Sequence, residues 1–122
     1  MRRYLLLIAY EPGAWESATA EERQGYVDGH AAFDRFVDER GRKISGAPLA
    51  GADTATTVRH RDGARVLTDG PFAESVEMVG GYYDVELPDL DVAIEAASLL
   101  PPAYAVEIRS VVELDSSGRQ VG

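Results

Sequence analysis

Two groupings of side chains in this 122-residue chain have the types and spacing for acid–base chemistry. The first is His30 with Asp34 four residues later. On a helix that spacing puts both on one face, where the carboxylate can bond to the ring and raise its pKa. An imidazole so placed serves as general acid or base near neutral pH. The second is the segment Thr68-Asp69-Gly70-Pro71-Phe72-Ala73-Glu74. There Gly70 accepts backbone angles that other residues avoid, Pro71 fixes its own φ, and Phe72 is expected to return the segment to an apolar layer. This turn holds Asp69 and Glu74 near a strand end. Two neighbouring carboxylates push one pKa upward and create a proton donor. Tyr82 and Tyr83 follow, one facing the helices and the other the opposite side of their strand; a ring with a hydroxyl suits a ligand pocket.

Each candidate also has a structural role open to it. His30 fits a core histidine satisfied by a backbone carbonyl or by Asp34. Asp69 fits an Asx-turn acceptor, Glu74 a solvated loop carboxylate, and the two tyrosines fit core or interface packing. His60, on a hairpin with Arg59, Arg61 and Arg65, is expected to be exposed. The sequence contains no Walker loop, no G-x-G-x-x-G, no H-E-x-x-H, no G-x-S-x-G and no EF-hand loop. No His/Cys cluster has zinc spacing, so neither a metal nor a cofactor is expected.

Composition narrows the class. The length suits one domain with a real core. A net charge of −9 disfavours general nucleic-acid binding, which needs cations to neutralise phosphates. There is no cysteine, no asparagine and a single lysine, Lys43; the default setting without disulfides is the cytoplasm. No apolar run approaches the roughly 18 residues that span a bilayer. The opening Tyr4-Leu5-Leu6-Leu7-Ile8-Ala9-Tyr10 is too short for a signal peptide and meets Glu11-Pro12, so it reads as a strand.

The elements that must position these residues follow from periodicity. Residues 3–10 form the first strand. Thr19 and Glu22 make a capping box for a helix that runs to about Arg40, with Gly41 as its stop. Its inward stripe is Tyr26, His30, Phe33 and Val37. A second strand covers 42–49 and a loop 50–53. Residues 55–61 and 64–68 form a hairpin across Asp62-Gly63, with Val58 opposite Leu67 and His60 opposite Arg65. Residues 78–87 make the next strand. Asp89 caps a short helix with Leu90, Ala93, Ile94 and Ala97 inward, which Pro101-Pro102 ends. The last strand, 105–114, turns Val106, Ile108, Val112 and Leu114 inward, and the polar tail 115–122 is expected to fray. The fold class is therefore α+β, a ferredoxin-like βαββαβ unit with an inserted β-hairpin. Two helices cover one face of such a sheet, yet the first strand is apolar on both. A second copy is the simplest cover, so a homodimer with sheets face to face, a dimeric α/β barrel, is expected.

Several of these stretches together resemble the YCII-related family, in particular its DGPF subgroup. They are Tyr4-Leu5-Leu6-Leu7-Ile8, Ala55-Thr56-Thr57-Val58-Arg59, Thr68-Asp69-Gly70-Pro71-Phe72-Ala73-Glu74-Ser75, Gly80-Gly81-Tyr82-Tyr83, Asp89-Leu90-Asp91-Val92-Ala93 and Glu107-Ile108-Arg109. The resemblance extends over residues 1–114. It implies a ferredoxin-like protomer in a dimeric α/β barrel. It also implies two functional settings: small-molecule chemistry, such as dehydrochlorination of a chlorinated hydroxyquinone, or association with extracytoplasmic-function sigma factors. A family histidine on the first helix lies eleven residues before a glycine, and His30 stands so before Gly41. Where many relatives have Asp-Pro after the second helix, this chain has Leu100-Pro101. The family acid is thus replaced, and Asp34 or Asp69 is left as the substitute partner.

Two functions fit these readings. One is a metal-independent lyase or isomerase using His30 and Asp69, with Asp34, Phe72, Glu74 and Tyr82 around a small ligand. The other is a non-catalytic ligand sensor or a partner in sigma-factor regulation.

Overall fold

The computed structural model describes residues 1–73 and 76–121. Its elements are β1 (Arg2–Tyr10), α1 (Ala20–Arg40), β2 (Arg42–Pro48), β3 (Thr56–Arg61), β4 (Ala64–Asp69), β5 (Met78–Leu87), α2 (Leu90–Ser98), β6 (Ala105–Ser110), β7 (Glu113–Leu114) and β8 (Gln120–Val121). The main sheet has the order β2-β5-β1-β6, with every neighbouring pair antiparallel. This is the ferredoxin-like α+β arrangement. The β3–β4 hairpin stands apart as its own two-stranded sheet.

Alternation along β1 divides the sheet into two faces. Tyr4, Leu6 and Ile8 are buried against Phe33 and Val37 of α1 and Ala93 and Ala96 of α2. Leu5 and Leu7 point the other way and remain half-buried. Along that second face the apolar pair meets charge: Arg3 donates two hydrogen bonds to Asp84, at 2.9 and 2.6 Å. This bond holds the Asp84 carboxyl below its ordinary pKa.

Local chemistry accounts for most boundaries. Thr19 accepts from the Glu22 N–H and Glu22 accepts from the Thr19 N–H, so the capping box forms as the sequence predicts. The β3–β4 hairpin has the predicted register, turning at Asp62 and Gly63, both with positive φ (52° and 78°). Gly41 does end α1, but not as a left-handed cap: its φ is −170°. A side chain there would run into the Glu86 carbonyl, so glycine is needed for the close approach of β2 to β5.

Three other expectations are corrected. Helix α2 buries Ala93 and Ala96, while Leu90 and Ile94 are about half exposed, because the stripe is rotated toward the small residues that let α2 lie close to the sheet. The last strand stops at Ser110, and Val112 and Leu114 are exposed. The tail does not fray: β7 pairs with β8 around a turn in which Asp115 accepts from Ser117 and from the Arg119 N–H.

Candidate functional site

Helix α1 carries His30 over the end of the sheet, where the strands β5 and β1 open. Both ring nitrogens are engaged by phenols. Nδ1 lies 2.6 Å from the Tyr83 Oη and Nε2 lies 3.0 Å from the Tyr104 Oη. Tyr83 comes from the middle of β5, on the face that packs Phe33, with ring centroids 4.3 Å apart. Tyr104 stands just before β6, at the end of a turn in which its N–H donates to the Pro101 carbonyl at 3.0 Å. The Pro101-Pro102 pair thus stops α2 and also sets the ring against His30. Tyr10 and Tyr26 stack on Tyr104, at 5.5 and 5.7 Å between centroids, and fix its plane.

These groups border a cavity of about 300 Å³, lined also by Ile8, Tyr10, Pro48 and Lys43. Two irregularities in the sheet shape it. The pairing of β2 with β5 shifts at Ile44, so that Lys43 is opposite Val85 and Ser45 opposite Asp84. This bulge puts Lys43 and Gly46 on one face, beside Tyr83, where strict alternation would separate them. Gly46 matters because a side chain there would strike the Tyr83 ring. The second irregularity, in the pairing of β1 with β5 at Ile8/Ala9, leaves Gly80 under the Tyr10 ring.

Burial controls the protonation of the trio. It lowers the His30 pKa, and although Asp34 opposes this and Lys43 adds to it, the net direction is down. Burial also raises the Tyr83 pKa to about 12, and that of Tyr104 upward. At neutral pH the trio is therefore a neutral imidazole between two protonated phenols. A neutral imidazole has one donor and one acceptor nitrogen. Whichever tautomer holds, one phenol donates to the ring and the other accepts from it. The accepting phenol keeps its own O–H free, and no further hydrogen bond engages either hydroxyl among the described residues. One phenolic proton therefore remains to serve a ligand.

The residues expected from sequence are only partly brought together. His30 is at the cavity. Asp34 is on the same helix but bonds to the Lys43 ammonium at 3.1 Å, not to the imidazole, because the bulged β2 brings that cation within reach. Tyr82 touches the cavity rim, but alternation gives the histidine to Tyr83. Asp69 ends the exposed hairpin strand β4 and is not among the residues lining the cavity. Its side chain makes no hydrogen bond among the described residues, so the Asx-turn is not formed; the turn is instead tied by the Thr57 hydroxyl donating to the Gly70 carbonyl at 2.7 Å. Phe72 is 78% exposed and does not return to an apolar layer of this protomer. Glu74 lies outside the described residues. Sequence reasoning passed over Tyr104 and Lys43; the available signals were a tyrosine directly after a Pro-Pro stop and the one lysine of the chain.

The chain matches the profile of the YCII-related domain over residues 2–115. It belongs to the YCII-related family. An uncharacterized protein of Rhizobium meliloti (strain 1021) is 30% identical over 110 residues, covering 87% of this chain and 89% of the other. In this family member the residue preceding the proline after α2 is Leu100, which is buried in the core. No carboxylate hydrogen-bonds His30 among the described residues, and two tyrosine hydroxyls occupy its nitrogens.

Proposed function

We propose that this YCII-related protein binds a small molecule in the His30 cavity and acts on it by acid–base chemistry of the lyase or isomerase type. The observation that carries the reading is the Tyr83–His30–Tyr104 chain, with one spare phenolic proton on a cavity large enough for roughly ten water-sized volumes. A carbonyl or enolate oxygen placed beside that hydroxyl receives its hydrogen bond. As negative charge develops on the ligand oxygen, the imidazole N–H strengthens the donating phenol, and the second phenol supports the imidazole. Full transfer along the chain would leave a phenolate on the phenol that donates to the ring. Burial opposes this for either tyrosine, with the Tyr83 pKa raised to about 12 and that of Tyr104 also raised. The arrangement thus favours stabilisation of developing charge over release of a free proton. Positioned acid catalysis of this kind contributes about 10²–10⁴-fold.

A second reading, a non-catalytic ligand sensor, is favoured by one observation: with both nitrogens bonded, His30 has no free nitrogen to take a proton directly from a ligand. Deuterium wash-in at the α-carbon of cyclohexanone and 2-oxobutyrate, followed by NMR, separates the two. The acid–base reading expects acceleration by the wild type, with the phenol polarising the carbonyl while water or buffer base takes the α-proton, and loss of that acceleration in the Tyr83→Phe/Tyr104→Phe double variant. Binding at His30 without any acceleration establishes the sensor reading, and a cavity that binds neither probe counts against both. We also propose that the protein works as a homodimer through the helix-free sheet face, supported by the half-buried Leu5 and Leu7 there.

A further inference from the structure

We propose that the His30 cavity selects organic anions, with the ligand's carboxylate or enolate oxygen held by Lys43. The inference rests on the reading of this cavity as a small-molecule site and names the class of molecule it takes. Among the lining residues Lys43 contributes the one formal charge, and no carboxylate is among them. The tyrosine hydroxyls add a proton donor, while Ile8, Tyr10 and Pro48 supply apolar wall. Donors and a cation on an apolar background fit an electron-rich oxygen on a compact organic body.

The ammonium is aimed and available. The bulge at Ile44 turns Lys43 to the cavity face, and its Nζ stands 5.6 Å from the centre of the Tyr83 ring. It makes one hydrogen bond among the described residues, to Asp34 at 3.1 Å, which leaves two of its three donors. Asp34 lies outside the lining and half-exposed, so it holds the cation from behind without closing it off. The surroundings make this cation decisive. A chain of net charge −9 repels anions at long range, so an anion binds here only if a local cation overcomes that field.

The test uses charged and neutral near-isosteres: benzoate with benzamide, salicylate with salicylamide, and acetoacetate with acetoacetamide. Binding is measured by calorimetry and by NMR of the His30 ring and the Lys43 side chain. The wild type should bind the anion of each pair about tenfold more tightly than the amide, the effect of one partly screened charge contact. Lys43→Met should bring the two within about threefold, whereas Lys43→Arg keeps the preference. Asp34→Asn should tighten anion binding by removing the competing carboxylate. Because Lys43 is partly exposed, these variants are expected to fold, and their melting transitions verify it. Equal binding of anions and amides by the wild type, or a preference that survives Lys43→Met, overturns the anion assignment and leaves the small-molecule site standing. If no member of any pair shifts the His30 ring at millimolar concentration, the small-molecule reading fails and the anion assignment fails with it.

Discussion

At the scale of single residues the decisive group is a histidine kept neutral by its surroundings. The pH dependence of stability follows. Burial lowers the His30 pKa in the folded protein below its ordinary 6.5. Between the folded and unfolded pKa values the unfolded chain binds more protons, so stability falls as pH is lowered. The His30 contribution is complete above about pH 6.5 and is lost progressively below it. Chemical denaturation at intervals from pH 7.5 to 5 should show this slope in the wild type, and His30→Gln should reduce it; equal slopes would contradict a buried neutral imidazole. The two phenols allow a second prediction. Tyr83→Phe and Tyr104→Phe each remove one hydrogen bond to the ring and should each cost about 0.5–1.5 kcal/mol of stability. Tyr83 is the more tightly held, packed on Phe33 and bonded at 2.6 Å, so its loss should disturb the His30 NMR resonances more than that of Tyr104. The reverse order would mean that Tyr104 is the anchor of the imidazole.

At the scale of elements, the parts governed by local chemistry were legible in the sequence. The capping box at Thr19 and Glu22, the Asp62-Gly63 turn and the hairpin register all form as read. What was not legible depends on how elements meet. A bulge at Ile44 reverses the alternation of β2, and nothing in Arg42-Lys43-Ile44-Ser45 announces it, so Lys43 could not be placed beside the histidine. The α2 stripe was misplaced for a related reason: hydrophobicity ranks Leu90 and Ile94 first, whereas close helix–sheet packing selects Ala93 and Ala96. His30 itself was legible, because Tyr26, Phe33 and Val37 at helical spacing define the inward face. Its partners were not, since they come from β5 and from the turn before β6. The site predicts the effect of one element-level change. Gly46→Ala adds a methyl group against the Tyr83 ring and should displace it from His30. Melting temperature should fall and the His30 ring resonances should move, whereas Ala64→Ser, exposed on the separate hairpin strand β4 and not among the cavity-lining residues, should change neither. An unperturbed His30 in Gly46→Ala would show that the ring yields without cost. The hairpin turn offers a contrast. Asp69 is exposed and without a side-chain hydrogen bond among the described residues, so Asp69→Asn and Asp69→Ala should both stay within about 0.5 kcal/mol of the wild type.

At the scale of the whole molecule, the two faces of the sheet lead to the remaining prediction. The helices bury Tyr4, Leu6 and Ile8, but on the other face Leu5 and Leu7 are half-buried, with Tyr82 beside Leu7 on the neighbouring strand. Three ion pairs border this apolar centre: Arg3–Asp84, Arg42–Glu86 and Glu107–Arg109. A polar rim around an apolar core is the composition of a protein interface. Two copies related by a two-fold axis would stack these faces at about 10 Å, as packed sheets do. Leu7→Glu would then place two carboxylates near one axis, each removed from water, and should convert the dimer to monomer with a lower, concentration-independent melting temperature. Val27→Glu, on an exposed position of α1, is the control and should leave the dimer intact. Each protomer carries a net charge of −9, so added salt should strengthen the association by screening like charges. Light scattering over a range of protein and salt concentrations measures all three effects. A wild type that stays monomeric at several hundred micromolar in high salt would overturn the assembly, and the half-buried leucines would then need another partner.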